Sequence, residues 1–342
     1  MSPEIPPSLG APLRLIFDLT SRCNLRCAYC CFFSSPSESS AVDMPVESWI
    51  DLVDEAGSCG VFNLTLRGGE ALLSPAFRPV VEAAVRNRMR FTLLTNGKVF
   101  TDEIARWIAA TGRCDLIRIS LDGPEDIHDP VRGRGSHAAA LEAIEAAQRA
   151  GLPFQVTCAV HKDNWRRLPE IIAYLVDVRK FENVCFSAVT VCDSPDYALS
   201  EEEFREAVSL LARSARPEMS RSGMYGGILN WRKMLAGKPG CEDCRLMNTQ
   251  MTVLSDGTFV PCVTLSGCAL GRAGHDRLVE VWRSLRSRPE LFTKTFPDPG
   301  CASCRYSGVC RGMCVGMQQV ERGYNWKLFC LRRQMESGRS IS

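Results

Sequence analysis

Residues 18–30 read DLTSRCNLRCAYC and directly follow a short apolar run, Arg14–Asp18. Cys23, Cys27 and Cys30 therefore share one loop at spacing C-x3-C-x2-C. Three thiolates on so short a loop can wrap one inorganic centre and leave its fourth position open, as catalysis at a metal requires. A zinc ion with a distant fourth ligand, or chance clustering, are the alternatives. The loop follows what reads as the first strand. The C-terminal ends of strands are where parallel α/β folds place their active sites, which favours a reactive centre.

Outward from this loop, β-like runs recur at Phe62–Leu66, Phe91–Thr95, Leu116–Leu121, Phe154–Val160 and Val184–Val191. Between them lie amphipathic stretches at Val46–Ala56, Phe77–Val85, Asp102–Ala109, His137–Ala150 and Leu168–Val178, with Ser200–Ala212 after the last run. Six βα units in a row predict a parallel sheet with right-handed crossovers. Periodicity leaves open whether the sheet curls into an open barrel or is doubly wound. The pattern breaks near residue 215, and the chain is cysteine-rich and Gly-rich after Gly240. Small lobes of that kind fold around metal rather than around a core. The expected domains are 1–235 and 236–342.

Composition narrows the setting. The chain has 342 residues, 45% apolar and 23% charged, with a net charge of +2. These values suit a soluble globular protein and show no basic footprint for nucleic acid or a membrane surface. No apolar run approaches a membrane span, and the first residues lack a signal-peptide core. The 18 cysteines are too many for chance and the chain too long for a secreted disulfide scaffold. A reducing, cytoplasmic compartment and metal binding are expected.

The loop C-x3-C-x-aromatic-C, with Tyr29 as the aromatic, resembles that of the radical S-adenosylmethionine (AdoMet, SAM) superfamily. The resemblance implies a partial (β/α)6 barrel, an α/β fold like a TIM barrel left open. It implies a 4Fe–4S cluster held by Cys23, Cys27 and Cys30, with AdoMet on the open iron as the source of a 5′-deoxyadenosyl radical. Supporting motifs follow later strands. In LRGGEALL, Gly68 and Gly69 would let the backbone approach the cofactor, and Glu70 would accept from the methionine ammonium. The family's usual next residue is Pro, and here it is Ala71. Asn96 lies in TNG after the third strand. Ser120 and Asp122 end the fourth strand, and the resemblance places them near the methionine or ribose, with Arg132 as a carboxylate contact. Satisfied strand-end chemistry is the alternative for Asp122 and Arg132. His128, Asp129, Arg132 and Arg134 lie near the barrel mouth, as substrate contacts or as a solvated loop.

The second cysteine set resembles the SPASM extension of that superfamily. Its core CASCRYSGVCRGMC reads C-x2-C-x5-C-x3-C, and upstream Gly257 lies five residues before Cys262. The resemblance implies two auxiliary 4Fe–4S clusters. One would use Cys241, Cys244, Cys262 and Cys314, the other Cys301, Cys304, Cys310 and Cys330. Three clusters predict about 12 irons per chain. Structural zinc ribbons are the alternative, and Cys268 could compete as a ligand. Of the remaining cysteines, Cys158, Cys185 and Cys192 lie on or after late β-like runs. One of them could face the lumen and donate a hydrogen atom to a substrate radical, with Cys158 and Cys192 the chosen candidates.

Family frequency favours a peptide-modifying oxidoreductase that oxidises, cross-links or epimerises a ribosomally made peptide. The alternative is a dehydrogenase or epimerase on a sugar or aminocyclitol in natural-product biosynthesis. Sulfatase activation and tetrapyrrole side-chain oxidation are weaker options, the last because only four His are present. A plain iron–sulfur electron carrier would not need the α/β domain. A flavodoxin or ferredoxin is the expected reductant. With about a dozen residues before the first strand, a separate leader-binding protein is an expected partner.

Overall fold

The computed structural model describes residues 9–30, 42–189, 194–216, 219, 249–288, 299–301 and 303–304. The six expected strands are present: β1 (Arg14–Asp18), β2 (Asn63–Arg67), β3 (Arg90–Thr95), β4 (Cys114–Ser120), β5 (Phe154–Val160) and β6 (Val184–Ala188). Helices α1 (Val46–Ser58), α2 (Phe77–Arg86), α3 (Asp102–Ala110), α5 (Ser136–Arg149), α6 (Leu168–Ile172) and α7 (Glu201–Arg213) fall where apolar periodicity predicts them. Helix α6 runs on into a wider π-type turn, Ala173–Val178.

The strand order β6-β5-β4-β3-β2-β1 settles the architecture. All five pairings among these strands are parallel. A doubly wound sheet reverses its order at a switch point. Here each new strand adds on the same side, so the helices collect on one face and the sheet curls around the other. The fold is a partial (β/α)6 barrel.

Strand alternation then sorts the side chains. Leu15, Phe17, Leu64, Leu66, Phe91, Leu93, Ile117, Ile119, Val156 and Val160 are fully buried in the core between sheet and helices. Phe17 meets Trp49 of α1 with ring centroids 4.8 Å apart. On the opposite, inner face the same strands carry Arg14, Asp18, Asn63, Arg67, Arg118, Ser120, Gln155 and Thr157, following the two-residue period. Ile16, Leu94, Leu116 and Ala159 share that face, so the barrel interior is mixed but mainly polar.

Two features depart from expectation. First, residues 125–132, read as loop, form a helix, α4 (Glu125–Arg132). Glu125 and Asp126 in its first turn and Arg132 in its last match the helix dipole. Pro130 inside it, and its short length, hid that signal. Second, the chain after residue 249 adds to the barrel sheet. β7 (Gln250–Val253) pairs with β1 in parallel, and β8 (Thr258–Val260) and β9 (Gly271–Arg272) follow antiparallel. Helix α8 (Leu278–Ser284) ties this segment to the barrel. Leu278 N donates to Glu55 Oε1 at 3.0 Å, and the buried Trp282 donates from Nε1 to Leu9 O at 2.9 Å. The expected division at 235/236 lies outside the described residues.

Phe17→Ala removes the ring that joins β1 to α1 and leaves a cavity. We expect a loss of about 3–5 kcal/mol in chemical denaturation, with little change in far-ultraviolet circular dichroism.

Candidate active site

The loop that follows β1 is held from several sides. Thr20 Oγ1 donates to Asp43 Oδ2 at 2.5 Å, and Ser21 N to Asp43 Oδ1 at 3.0 Å. From the loop after β2, Gly69 N donates to Thr20 O (2.8 Å) and Glu70 N to Arg22 O (2.9 Å). From the loop after β3, Asn96 Nδ2 donates to Asn24 Oδ1 at 2.8 Å and lies 3.6 Å from Cys23 Sγ. From the other side, Ala28 N donates to Val131 O of α4 at 2.8 Å.

The two glycines have a packing role within the protein itself. Gly68 has φ +139, and a Cβ there would sit 2.5 Å from Thr20 O. At Gly69 a Cβ would sit 2.3 Å from Arg22 O. They are needed where two backbone loops touch, so the close approach they permit is to the cysteine loop itself.

Glu70 is buried and accepts three hydrogen bonds, from Leu72 N (3.2 Å), Thr95 Oγ1 (3.0 Å) and Asn96 N (2.8 Å). Burial raises its pKa to about 7 in spite of these donors. A cationic group brought to it would favour the carboxylate.

Asp122 and Arg132 are engaged with each other. Arg132 donates from Nε to Asp122 Oδ2 (2.6 Å) and from Nη2 to Oδ1 (3.1 Å). Tyr29 Oη donates to Asp122 Oδ2 at 2.7 Å, and Ala159 N to Oδ1 at 2.8 Å. Asp122 N donates to His128 Nδ1 at 3.0 Å. Burial alone would raise the Asp122 pKa, but the Arg132 guanidinium outweighs it and holds the carboxyl well below the usual range. His128, fully buried, has its pKa lowered by burial to about 4, so it is neutral. The sequence reading left this cluster open. His128 and Arg132, four residues apart, share one helix face, a signal visible only once α4 is recognised as a helix.

The three loop cysteines sense one another. Burial raises the Cys27 pKa to about 11, Arg132 opposes that, and Cys30 and Cys23 raise it further. Cys23 is raised by burial and by Cys30 among other groups. Positive charge at a metal centre would relieve this cost. Among the described residues no three His, Cys, Asp or Glu converge on a single ion. A four-iron cluster bonds each cysteine to a different iron, so three neighbouring but separate thiols suit it. The loop, the buried Glu70 and the glycine-tight contacts thus fit a cluster with a cationic ligand beside it.

The remaining expected residues divide. Ser120 ends β4 on the inner face, half-buried. Cys158 does not face the lumen. It is fully buried on the helix-facing side of β5 between Val156 and Val160, with Sγ 3.5 Å from Asp122 O. Strand alternation puts Thr157 inward and Cys158 outward. Cys185, beside Thr157 in register, takes the inner face instead. Cys192 lies outside the described residues. So do Cys241, Cys244, Cys310, Cys314 and Cys330. Of the expected auxiliary ligands, Cys262 is buried after β8, and Cys301 and Cys304 lie at the end of the described chain. No helix of the described residues is long and apolar enough to cross a membrane.

Comparison with known proteins agrees with this geometry. Residues 17–175 match the Radical SAM superfamily model, and residues 244–305 match the SPASM iron-sulfur cluster-binding domain. A PqqA peptide cyclase of Streptomyces rochei is 33% identical over 329 residues, covering 90% of this chain and 85% of the relative. An Fe-coproporphyrin III synthase of Methanosarcina barkeri is 24% identical, with 87% and 82% covered. The solved structure of anSMEcpe with bound AdoMet superposes with a TM-score of 0.76 at 21% identity, covering 97% of this chain and 96% of that one. The chain belongs to the radical SAM superfamily and carries a SPASM domain. AdoMet and iron–sulfur clusters are the cofactors these domains imply.

Two measurements probe the site. Removing Asp122 strands a buried guanidinium, so Asp122→Ala should lower stability by about 3–5 kcal/mol, read by denaturant titration of the metal-free protein. Glu70 has a raised pKa, so its contribution to stability is full below the ordinary glutamate pKa and is lost as pH rises through about 7. The melting temperature of metal-free protein relative to Glu70→Gln should therefore fall between pH 5 and pH 8. A constant difference would remove the buried-carboxyl assignment.

Proposed function

We propose that this chain is a peptide-modifying radical SAM enzyme that removes a hydrogen atom from a residue of a ribosomally made peptide. The observation that carries the reading is the 33% identity to a peptide cyclase along nine-tenths of the chain. The mainly polar barrel interior beneath the cysteine loop supports it as a chamber for a polar chain segment.

In this reading Cys23, Cys27 and Cys30 would hold a 4Fe–4S cluster, with a flavodoxin or ferredoxin as its reductant. When bound, cluster and AdoMet supply a 5′-deoxyadenosyl radical. Glu70 accepts from the methionine ammonium, and Asn96 and Ser120 offer polar contacts at the strand ends. Tyr29, Asp122 and Arg132 fix the cysteine loop against α4. Cys241, Cys244, Cys262 and Cys314 would hold one auxiliary cluster and Cys301, Cys304, Cys310 and Cys330 a second, and these groups would supply an electron acceptor. A separate leader-binding protein presents the peptide. The reaction is an oxidation, a cross-link or an epimerisation. A second reading, oxidation of a tetrapyrrole side chain, draws on the similarity to the Fe-coproporphyrin III synthase.

Cys27→Ala should abolish formation of 5′-deoxyadenosine under reductant, and retained cleavage would overturn the cluster assignment. Cys304→Ala should lower turnover more than AdoMet cleavage, with about four fewer irons per chain. Mass spectrometry of an anaerobic producing host, with and without the gene, separates the readings. A peptide of a few kilodaltons that changes by a hydrogen pair, or in retention alone, supports the peptide. A change confined to a small metabolite or tetrapyrrole overturns it.

A further inference from the structure

The inner face of β1–β4 carries more positive than negative charge, and its carboxylates are already taken. Asp18 receives both Nε (2.7 Å) and Nη2 (3.2 Å) of Arg67. Asp115, the extra residue where the β3–β4 register shifts, accepts from Asn63 Nδ2 at 2.8 Å and pairs with Arg90. Arg14 on β1 and Arg118 on β4 remain, both exposed, and neither side chain has a hydrogen bond or ion pair with another described residue. Burial lowers the pKa of Arg14, and the charge of Arg118 lowers it further against the pull of Asp115.

Each of these arginines has an amide neighbour in register with a buried oxygen that lacks a partner. Arg14 lies beside Asn63, and Arg118 beside Gln155. Asn63 Oδ1, Gln155 Oε1 and, one inward position further on, Thr157 Oγ1 have no hydrogen-bond partner. Asn63 and Gln155 are 1% and 4% exposed. An orphaned buried oxygen costs about 1–3 kcal/mol. Arg14 and Arg118 are exposed and hydrated, so a ligand that displaces their water must supply negative charge for the guanidiniums and donors for the oxygens. A ligand with a carboxylate for the arginines and N–H groups for the oxygens answers both demands. Arg118 lies two residues before Ser120 on the same face, about 7 Å along the strand, within reach of a substrate that enters past the cysteine loop.

We propose that Arg118, with Arg14, forms an anion subsite that holds the carboxylate of an acidic residue in the substrate peptide, while the amide oxygens of Gln155 and Asn63 accept from the peptide's N–H groups. The inference rests on the peptide reading above, because it takes the barrel interior as the substrate chamber. It selects peptides with Glu or Asp beside the residue that loses hydrogen.

The test is calorimetric titration of cluster-loaded enzyme, kept anaerobic with AdoMet, with acetyl-Ala-Glu-Ala-amide and acetyl-Ala-Gln-Ala-amide. The acidic peptide should bind at least about tenfold more tightly, as loss of one charged hydrogen bond predicts. Arg118→Gln should erase that preference at unchanged melting temperature, and Arg118→Lys should keep part of it. If Arg118→Gln unfolds, Arg14→Gln provides the same readout. Equal binding of the two peptides, or a preference that survives these substitutions, overturns the subsite and leaves the peptide reading standing. Glutarate and coproporphyrin III serve as carboxylates without a peptide. If they bind through Arg118 while neither peptide does, the anion subsite stands and the peptide reading falls. If none binds, the subsite is refuted.

Discussion

One buried carboxylate organises the catalytic end of the barrel. Asp122 joins Tyr29 of the cysteine loop, Arg132 of α4 and the backbone of Ala159 in β5. An ion pair so completely removed from water contributes little net stability, because desolvation offsets most of its attraction. Its value is geometric. Both carboxylate oxygens are in use, so the Tyr29 loop, α4 and β5 have one compatible arrangement. Moving α4 strands a charge, and moving either of the others costs the carboxylate a hydrogen bond.

The opposite flank of the loop is fixed by backbone contact instead. Gly68 and Gly69 let the turn after β2 press against Thr20 and Arg22, where any Cβ would collide with a carbonyl. Glu70, next in sequence, gathers Thr95 and Asn96 from the turn after β3. The cysteine loop is thus clamped between a charged network on one side and a glycine-tight seam on the other. Three thiols are then kept close in a partly buried place, where burial favours the neutral form of Cys27 and Cys23. A loosely held loop would swing its cysteines into water.

Helix-facing and inward-facing residues obey different rules in this barrel. The helix-facing set is almost wholly apolar and was legible from alternation along each strand. The inward set is mainly polar and partly unsatisfied, a pattern costly to keep unless something enters. The same alternation decides the thiols. Cys158 falls on the helix side with Val156 and Val160, while Cys185 shares the inner face with Thr157. The reading of Cys158 as a lumen thiol failed because membership of a strand does not say which face a residue takes.

The sequence by itself determined the six βα units, the cysteine loop at the end of the first strand and the second cysteine set, because residue spacing and two- or 3.6-residue periods are local properties. It did not reveal α4, where Pro130 and a polar composition mask the period, nor the addition of β7 to β1 from far along the chain. Only the tertiary structure chose a barrel over a doubly wound sheet, because strand order is a matter of which crossover packs where. Only it paired Asp122 with Arg132 and Tyr29, gave the two glycines their reason and left Arg14 and Arg118 facing an open interior. Those outcomes depend on which side chains from distant segments meet, and that information exists only once the sheet has curled.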